Sequence, residues 1–513
     1  MTLNERMSLP IWKKIIIYTI SFIFFILQIA LIVLTFLSTS YASGFRYFQI
    51  ILEAIAFCYV LHIIYKPMIT AYKLTWSILI LLFPLPFLII YSINSISRRE
   101  NSRKKRKIKI EAKKIIYSDD LAELTKINNK ASNIVKVVQN NIFAPVVKNN
   151  KVTFFSDISL KFLDLLKETE NAKEFILIEF FIIAEGKLMD KLYPVLYKKG
   201  EEGVEIKILY DSIGSSRVIN HKFIKKLTKI PNCQISNYEP VGMNINPVIN
   251  NRDHRKIYVI DNKIAYCGGD NLADEYINEL PRYGYWRDNC CKYEGDIVRS
   301  FTYIFNQNWY TSTKINLKEE WIYKKYDDFE NDTYVMAFGD GPIIPGDSAY
   351  DFFSSLISSA KNTLYISTPY FILNDDMIRL ISLKVKEGID VKILMPKIPD
   401  KKSAFYMGRA NYRSILKSGG KIYEYTPGFN HAKNIIVDDD LSFVGTINMD
   451  YRSLFLHYEC GALIVDKNIN LEMRKDFEDA VLKSEEITYE KWKKRPFYQK
   501  IIAYILNIFA PMF

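Results

Sequence analysis

The pattern His254-Arg255-Lys256, four residues, Asp261, six residues, Gly268-Gly269-Asp270-Asn271 returns later in the chain. Its second copy reads His431-Ala432-Lys433, four residues, Asp438, six residues, Gly445-Thr446-Ile447-Asn448. The copies stand 177 positions apart in a chain of 513 residues that holds only five histidines. A lone H-x-K arises often by chance, whereas a duplicated pattern with matching Asp and Gly-x-x-Asn offsets is specific. His62, His221 and His457 have no such context and read as ordinary structural histidines.

The flanks repeat as well. Glu202-Gly-Val-Glu-Ile-Lys-Ile-Leu209 returns as Glu387-Gly-Ile-Asp-Val-Lys-Ile-Leu394. Helical segments precede each copy, at Leu188–Lys199 and Met377–Lys386, and apolar strands precede those, at Phe175–Ile183 and Thr363–Leu373. The order strand, helix, glycine turn, strand, then H-x-K strand therefore occurs twice. Such alternation implies α/β layers, and the duplication implies two α/β/α sandwich halves related by a pseudo-twofold axis. The expected division is 118–325 and 326–485. The boundary lies in the polar stretch Tyr323–Asp332 or the Gly339–Gly346 turn cluster, a connector that lacks the Lys-Ser/Thr of a phosphate loop.

Ahead of the halves, residues 1–117 contain three apolar runs, Ile15–Leu37, Tyr47–Tyr65 and Leu74–Ile93. Each approaches the roughly 20 residues that cross a bilayer as a helix. The second carries Glu53 and His62, and the third contains Pro84 and Pro86. They read as two or three transmembrane helices. This segment holds 16 Lys/Arg and 4 Asp/Glu, so it accounts for the whole net charge of +12. Ten of those cations lie between Arg98 and Lys114, directly after the third run. Positive charge beside a span places the following halves on the cytoplasmic side and attracts anionic headgroups. The remaining 396 residues are balanced, which argues against the broad basic groove of a nuclease and against nucleic-acid partners. The six cysteines show neither metal-ligand spacing nor a disulfide framework, as expected of a reducing compartment. At the other end, residues 486–513 join basic Lys491, Lys493, Lys494 and Arg495 to apolar Ile501, Ile502, Ile505 and Leu506, an amphipathic segment.

Strand periodicity sends residues i and i+2 to one face, so His and Lys of each copy project together. One such set can hold a phosphate; two facing sets can also attack it and protonate the leaving group. One imidazole attacks phosphorus in line while the other acts as acid and base, with Lys256, Lys433, Asn271 and Asn448 binding the phosphate oxygens. The candidate catalytic set is His254, Lys256, Asp261, His431, Lys433 and Asp438, although Asp261 and Asp438 read better as fixing the strand end. No cofactor or metal is called for, and Asp438-Asp439-Asp440 reads as a turn. Asp288 and Glu459 follow their histidines by 34 and 28 residues and are candidate orienting carboxylates, each for the histidine that precedes it.

These motifs resemble the phospholipase D superfamily, whose duplicated H-x-K-x4-D pattern acts through a phosphohistidine. Thr368-Pro-Tyr-Phe-Ile372, Gly388–Leu394, Phe429-Asn-His431-Ala-Lys433 and Gly445-Thr-Ile-Asn448-Met-Asp450-Tyr-Arg452-Ser453 are similar to the bacterial cardiolipin synthases. So is Ala71-Tyr-Lys-Leu-Thr-Trp76 near the N-terminus. The resemblance covers nearly the whole chain. It implies a cell-membrane enzyme that joins two phosphatidylglycerol molecules into cardiolipin and glycerol, with His254 as nucleophile and His431 as acid. A phosphatidyltransferase or phospholipase D using water or another alcohol shares the same signature. One departure is Leu456-His457-Tyr458-Glu459, where those synthases usually carry Asn two residues before Glu; this puts acceptor handling in question.

Overall fold

The computed structural model describes residues 26, 43–66, 68–92, 119–216, 218–238, 251–324, 329, 331–342, 344 and 346–512. The expected first span, apart from Ile26, and the basic cluster of 98–114 lie outside them. The described residues fall into two compact units, one within Met1–Lys105 and Ile505–Phe513, the other within Arg106–Glu239 and Asn251–Tyr504.

In the smaller unit, the run expected from Tyr47 to Tyr65 lies in one helix, Ser43–Tyr65. It is the one described helix long and apolar enough to cross a membrane. The third run is not one helix. It forms Thr70–Leu82, breaks at Phe83 (φ −137°), and is helical again over residues 84–92. Pro84 explains the break, because proline lacks an N–H and crowds the residue before it out of helical geometry. Ala56, Val60, Ile63, Trp76, Ile80 and Tyr91 pack together between these helices.

The larger unit contains two sheets of matching topology. In the first, β1 (Lys151–Phe155), β2 (Phe175–Phe180), β3 (Glu205–Asp211), β4 (Cys233–Tyr238), β5 (Lys256–Ile260), β6 (Ile264–Gly268) and β7 (Cys290–Glu294) lie in the order β1-β7-β6-β5-β2-β3-β4. In the second, β8 (Tyr334–Asp340), β9 (Thr363–Ser367), β10 (Asp390–Pro396), β11 (Lys421–Tyr425), β12 (Asn434–Val437), β13 (Leu441–Gly445) and β14 (Glu459–Val465) lie as β8-β14-β13-β12-β9-β10-β11. Each strand of the first sheet thus has a counterpart in the second. The second sheet gains Val146–Val147 beside β8 and Ser484–Glu486 beside β11. Residues 121–147 therefore share the second sheet's core, although they precede the first sheet in sequence.

The repeated Glu-Gly sequence has a local cause. Helices Lys187–Glu201 and Asp375–Lys386 are followed closely by Gly203 (φ +94°) and Gly388 (φ +89°), which turn the chain into β3 and β10. Glycine takes this left-handed geometry without a Cβ penalty. β2 is buried at all six positions, as a strand covered on both faces must be. On one side, helices Ile158–Glu170 and Lys187–Glu201 bury Phe162, Leu165, Leu188 and Leu192 against Ile176 and Ile178. On the other side, a core shared by both sheets joins Leu177, Val259 and Cys267 to Tyr365, Ile436, Val444 and Cys460. The Cys267 and Cys460 sulfurs approach to 3.6 Å within it.

Candidate active site

β5 begins at Lys256 and β12 directly follows Lys433, so both H-x-K segments sit at strand starts. The two starts converge through short parallel pairings between the halves. Tyr285–Arg287 pairs with Gly428–Asn430, and Asp253 bridges Tyr458. One residue further along each pairing, Asp288 meets His431 and Glu459 meets His254. Main-chain bonds fix the register: His254 N–H donates to the Tyr458 carbonyl at 2.8 Å, and His431 N–H to the Arg287 carbonyl at 2.7 Å.

The carboxylates are therefore exchanged. His254 Nδ1 lies 2.9 Å from Glu459 Oε1, and His431 Nδ1 lies 2.6 Å from Asp288 Oδ2. This corrects the chain-order pairing expected from sequence, in which each carboxylate serves the histidine before it. Neither acid is on the surface; Glu459 is 0% and Asp288 1% exposed. An ionised carboxylate accepting from Nδ1–H leaves the Nε2 lone pair available for a substrate.

The Gly269/Thr446 difference follows from the lengths of these acids. A Cβ at Gly269 would sit 2.1 Å from Asp288 Oδ1, so only glycine admits the carboxylate there. In the other half, Thr446 Oγ1 donates to Glu459 Oε2. The shorter acid packs on bare backbone, and the longer one is held by a hydroxyl.

Lys256 and Lys433 are both 1% exposed. Lys256 Nζ donates to the His254 carbonyl at 2.6 Å, and Lys433 Nζ lies 2.9 Å from His431 Nδ1 and 3.1 Å from Nε2. Burial pulls Lys256 down to about 8, against the opposing pull of Glu459. Burial also pulls Lys433 down to about 7, opposed by Asp288 and reinforced by Lys256. Burial, then Lys256, His457, Lys433 and His431, hold His254 well below the usual imidazole range. Burial, then Lys433 and Lys256, do the same to His431. Asp288 is pushed up to about 6 by burial, with Lys433 opposing. Groups from both halves thus act on one another within one buried cluster. It disfavours every charged form until an anion arrives to neutralise the lysines.

The remaining expected residues divide. Asp261 and Asp438 do not reach the histidines. Each stands at the far end of its strand in left-handed geometry, φ 52° and 53°. Asp261 accepts the backbone N–H groups of Lys173, Glu174 and Phe175, and Asp438 those of Lys361, Asn362 and Thr363. Their inclusion in a catalytic set is corrected: they tie each H-x-K strand to the start of its neighbour. Asn271 is committed too, accepting from Ile182 N–H and donating to the Tyr276 hydroxyl at 2.6 Å. Asn448 differs, since its Oδ1 is buried without a hydrogen-bond partner among the described residues.

The sequence marks His457 only as a departure from the family pattern and gives it no place in the site. Its ring centroid lies 5.5 Å from that of His254, and its side chain is 10% exposed. Position two before Glu459, on the segment that pairs with Asp253, was the available signal. Aromatic side chains complete the walls: Phe181 meets His254 edge-on at 5.0 Å, and Tyr276, Trp286 and Phe429 surround His431.

Residues 165–309 and 353–481 match the family described as cardiolipin synthase, PLD-like domain. The chain belongs to that family. It is 34% identical over 353 residues to cardiolipin synthase 2 of Bacillus anthracis, covering 68% of each protein. It is 29% identical over 449 residues to the cardiolipin synthase of Halalkalibacterium halodurans, covering 86% of this chain and 88% of that one. The crystal structure of phosphatidylserine synthase from Haemophilus influenzae shares its fold, with a TM-score of 0.56 at 17% identity. That comparison covers 74% of this chain and 97% of the other. The phospholipase D-like α/β fold expected from the duplicated motif is the fold of this family member.

Proposed function

We propose that the protein is a cardiolipin synthase that transfers a phosphatidyl group from one phosphatidylglycerol to another. The observation that carries this reading is the exchange of carboxylates, which brings both His/Lys pairs into one buried cluster. His254 Nε2 attacks phosphorus, and the phosphorus–oxygen bond to glycerol breaks. The leaving glycerol oxygen takes a proton from His431. A primary hydroxyl of the second phosphatidylglycerol then gives its proton to His431 and displaces His254, forming cardiolipin. Lys256 and Lys433 hold the anionic phosphate as its charge develops.

The relatives' names and the acidic-lipid chemistry of the cluster support this substrate. The helix Ser43–Tyr65 exposes Ile50, Ile51, Phe57, Leu61 and Ile64, as a lipid-facing helix would. In this reading, 1–117 is the membrane anchor with Ile15–Leu37 as a further span. The two α/β halves work on the cytoplasmic side. Helix Phe497–Ile508 exposes Phe497, Tyr498, Ile501, Ile502 and Tyr504 and rests in the interface.

Full-length protein in detergent micelles, given phosphatidylglycerol and EDTA, is expected to release glycerol and form cardiolipin in equal amounts. Phosphatidic acid as the sole lipid product would make the protein a hydrolase, and a product that appears only with another alcohol would change the acceptor. No lipid turnover under any of these conditions would refute the reading.

A further inference from the structure

His457 is a buried imidazole with no hydrogen-bond partner for either nitrogen among the described residues. Its Nδ1 stands 3.6 Å from Glu459 Oε1, too far for a hydrogen bond. Leaving such a ring unsatisfied costs folding free energy, and the chemistry above gives it no task. Yet its backbone is firmly held: His457 N–H donates to the Arg452 carbonyl, and the next residue, Tyr458, donates to Arg252 and accepts from His254.

One ring nitrogen each from His254 and His457, with one carboxylate oxygen of Glu459, lie within 4.8 Å of one another. They are the one group of metal-ligating side chains with this spacing among the described residues. A tetrahedral zinc ion with bonds of about 2.0–2.2 Å sets its ligand atoms about 3.3–3.5 Å apart. The observed separations of 2.9 Å and 3.6 Å, from Glu459 Oε1 to the two histidines, bracket that edge. Two imidazoles and a carboxylate are also a donor set that zinc prefers. The ligand carboxylate is already oriented from behind by the Thr446 hydroxyl, as metal-binding carboxylates commonly are.

We propose that His254, His457 and Glu459 form a binding site for a zinc-type divalent ion, and that its occupation switches the enzyme off. This consequence rests on His254 being the nucleophile. Binding through the Nδ1 that faces Glu459 displaces the proton of that nitrogen to solvent. A neutral imidazole metallated at Nδ1 carries its remaining proton on Nε2, so the lone pair that attacks phosphorus is gone. Lys256 and Lys433 repel a dication, which makes the site a reversible inhibitory one rather than a structural one. A third imidazole beside the Glu459–His254 pair thus gives the protein a metal-sensitive brake.

Binding is measured apart from turnover. Full-length protein in detergent micelles, stripped with EDTA and desalted, is dialysed against Zn2+ and, separately, titrated with Co2+. The wild type is expected to hold one ion per chain at this site and to give the visible absorption of tetrahedral cobalt without thiolate charge-transfer bands. His457→Gln removes one of three ligands and should weaken binding by more than about 100-fold. His62→Gln and His221→Gln should leave it unchanged. His457→Asn is the second variant, and unfolding transitions of all variants show that the fold is intact. In the lipid assay, Zn2+ should stop wild-type turnover, EDTA should restore it, and whatever activity His457→Gln retains should ignore Zn2+. Wild type that takes up no ion at this site, or His457→Gln that binds as tightly, overturns the proposal. So does a His457→Gln whose only defect is a changed phospholipid KM. A wild type that binds zinc but never turns over phosphatidylglycerol leaves the site standing and sinks the proposed function instead.

Discussion

Glu459 Oε1 of the second half lies 2.9 Å from His254 Nδ1 of the first, across the boundary between the two sheets. Asp288 returns the arrangement to His431 at 2.6 Å. Removing either carboxylate therefore impairs the histidine of the other half. Glu459→Gln and Asp288→Asn are each expected to slow cardiolipin formation by about 10²–10⁴-fold, the range for losing a partner that sets the tautomer. An activated phosphodiester whose leaving group needs no proton separates the two roles. It should rescue His431→Ala and Asp288→Asn in the release step, and leave His254→Ala and Glu459→Gln inactive. Rescue of the opposite pair would make His431 the nucleophile.

Anion binding gives the pH profile its alkaline limb. A lysine is cationic below its pKa, and Lys433 and Lys256 are depressed to about 7 and about 8. Affinity for the phosphodiester should be greatest below pH 7 and decline as pH rises through these values. The expected result is a fall in kcat/KM across that window at constant ionic strength. Lys433→Arg keeps its charge there and should flatten the first part of the fall, at a lower absolute rate. An alkaline limb that is unaltered in Lys433→Arg would assign it to another group.

The same depression bears on stability. An unfolded lysine titrates at about 10.4, whereas folded Lys433 is depressed to about 7, so the unfolded chain binds more protons between these pH values. Stability should rise with pH across this interval. Lys433→Met removes the buried cation and is expected to raise stability near pH 7, on the order of 1 kcal/mol, while abolishing turnover. Thermal unfolding of both proteins from pH 6 to 10 checks the sign.

Asp438 acts on the fold rather than on phosphorus. Burial would raise its carboxyl, but Lys130 and the backbone N–H groups of Asn362 and Thr363 outweigh this and hold it below the usual range. Its contribution is present above the unfolded carboxyl pKa and is lost as pH falls through the folded one. Asp438→Asn and Asp261→Asn are expected to cost about 1–3 kcal/mol of stability each, from backbone donors left poorly satisfied. Turnover per folded molecule, measured well below the unfolding transition, should stay within a few-fold of wild type.

Local signals carried a large part of this protein into view. Five histidines with two in identical settings, the repeated Glu-Gly turn, and the strand–helix–strand order are all short-range patterns. Each is governed by periodicity or by backbone geometry at a few positions, so the two matching sheets and both His/Lys pairs were legible without coordinates. The break at Phe83 was half legible: Pro84 was visible, but whether the run kinks or splits depends on the local packing around it.

What the chain order could not supply was partnership across the duplication. Asp288 and Glu459 were recognisable as carboxylates at comparable offsets, yet chain order pairs each with the wrong histidine. The exchange arises from two parallel strand contacts, Tyr285–Arg287 with Gly428–Asn430 and Asp253 with Tyr458, between segments far apart in sequence. The same contacts bring His457 beside His254, a proximity that no spacing rule encodes. The sequence by itself determined which chemical groups are present and which strand ends carry them, because those follow from local periodicity. Tertiary structure alone decided which groups meet, since contact between the halves is a property of two surfaces packing and not of either one.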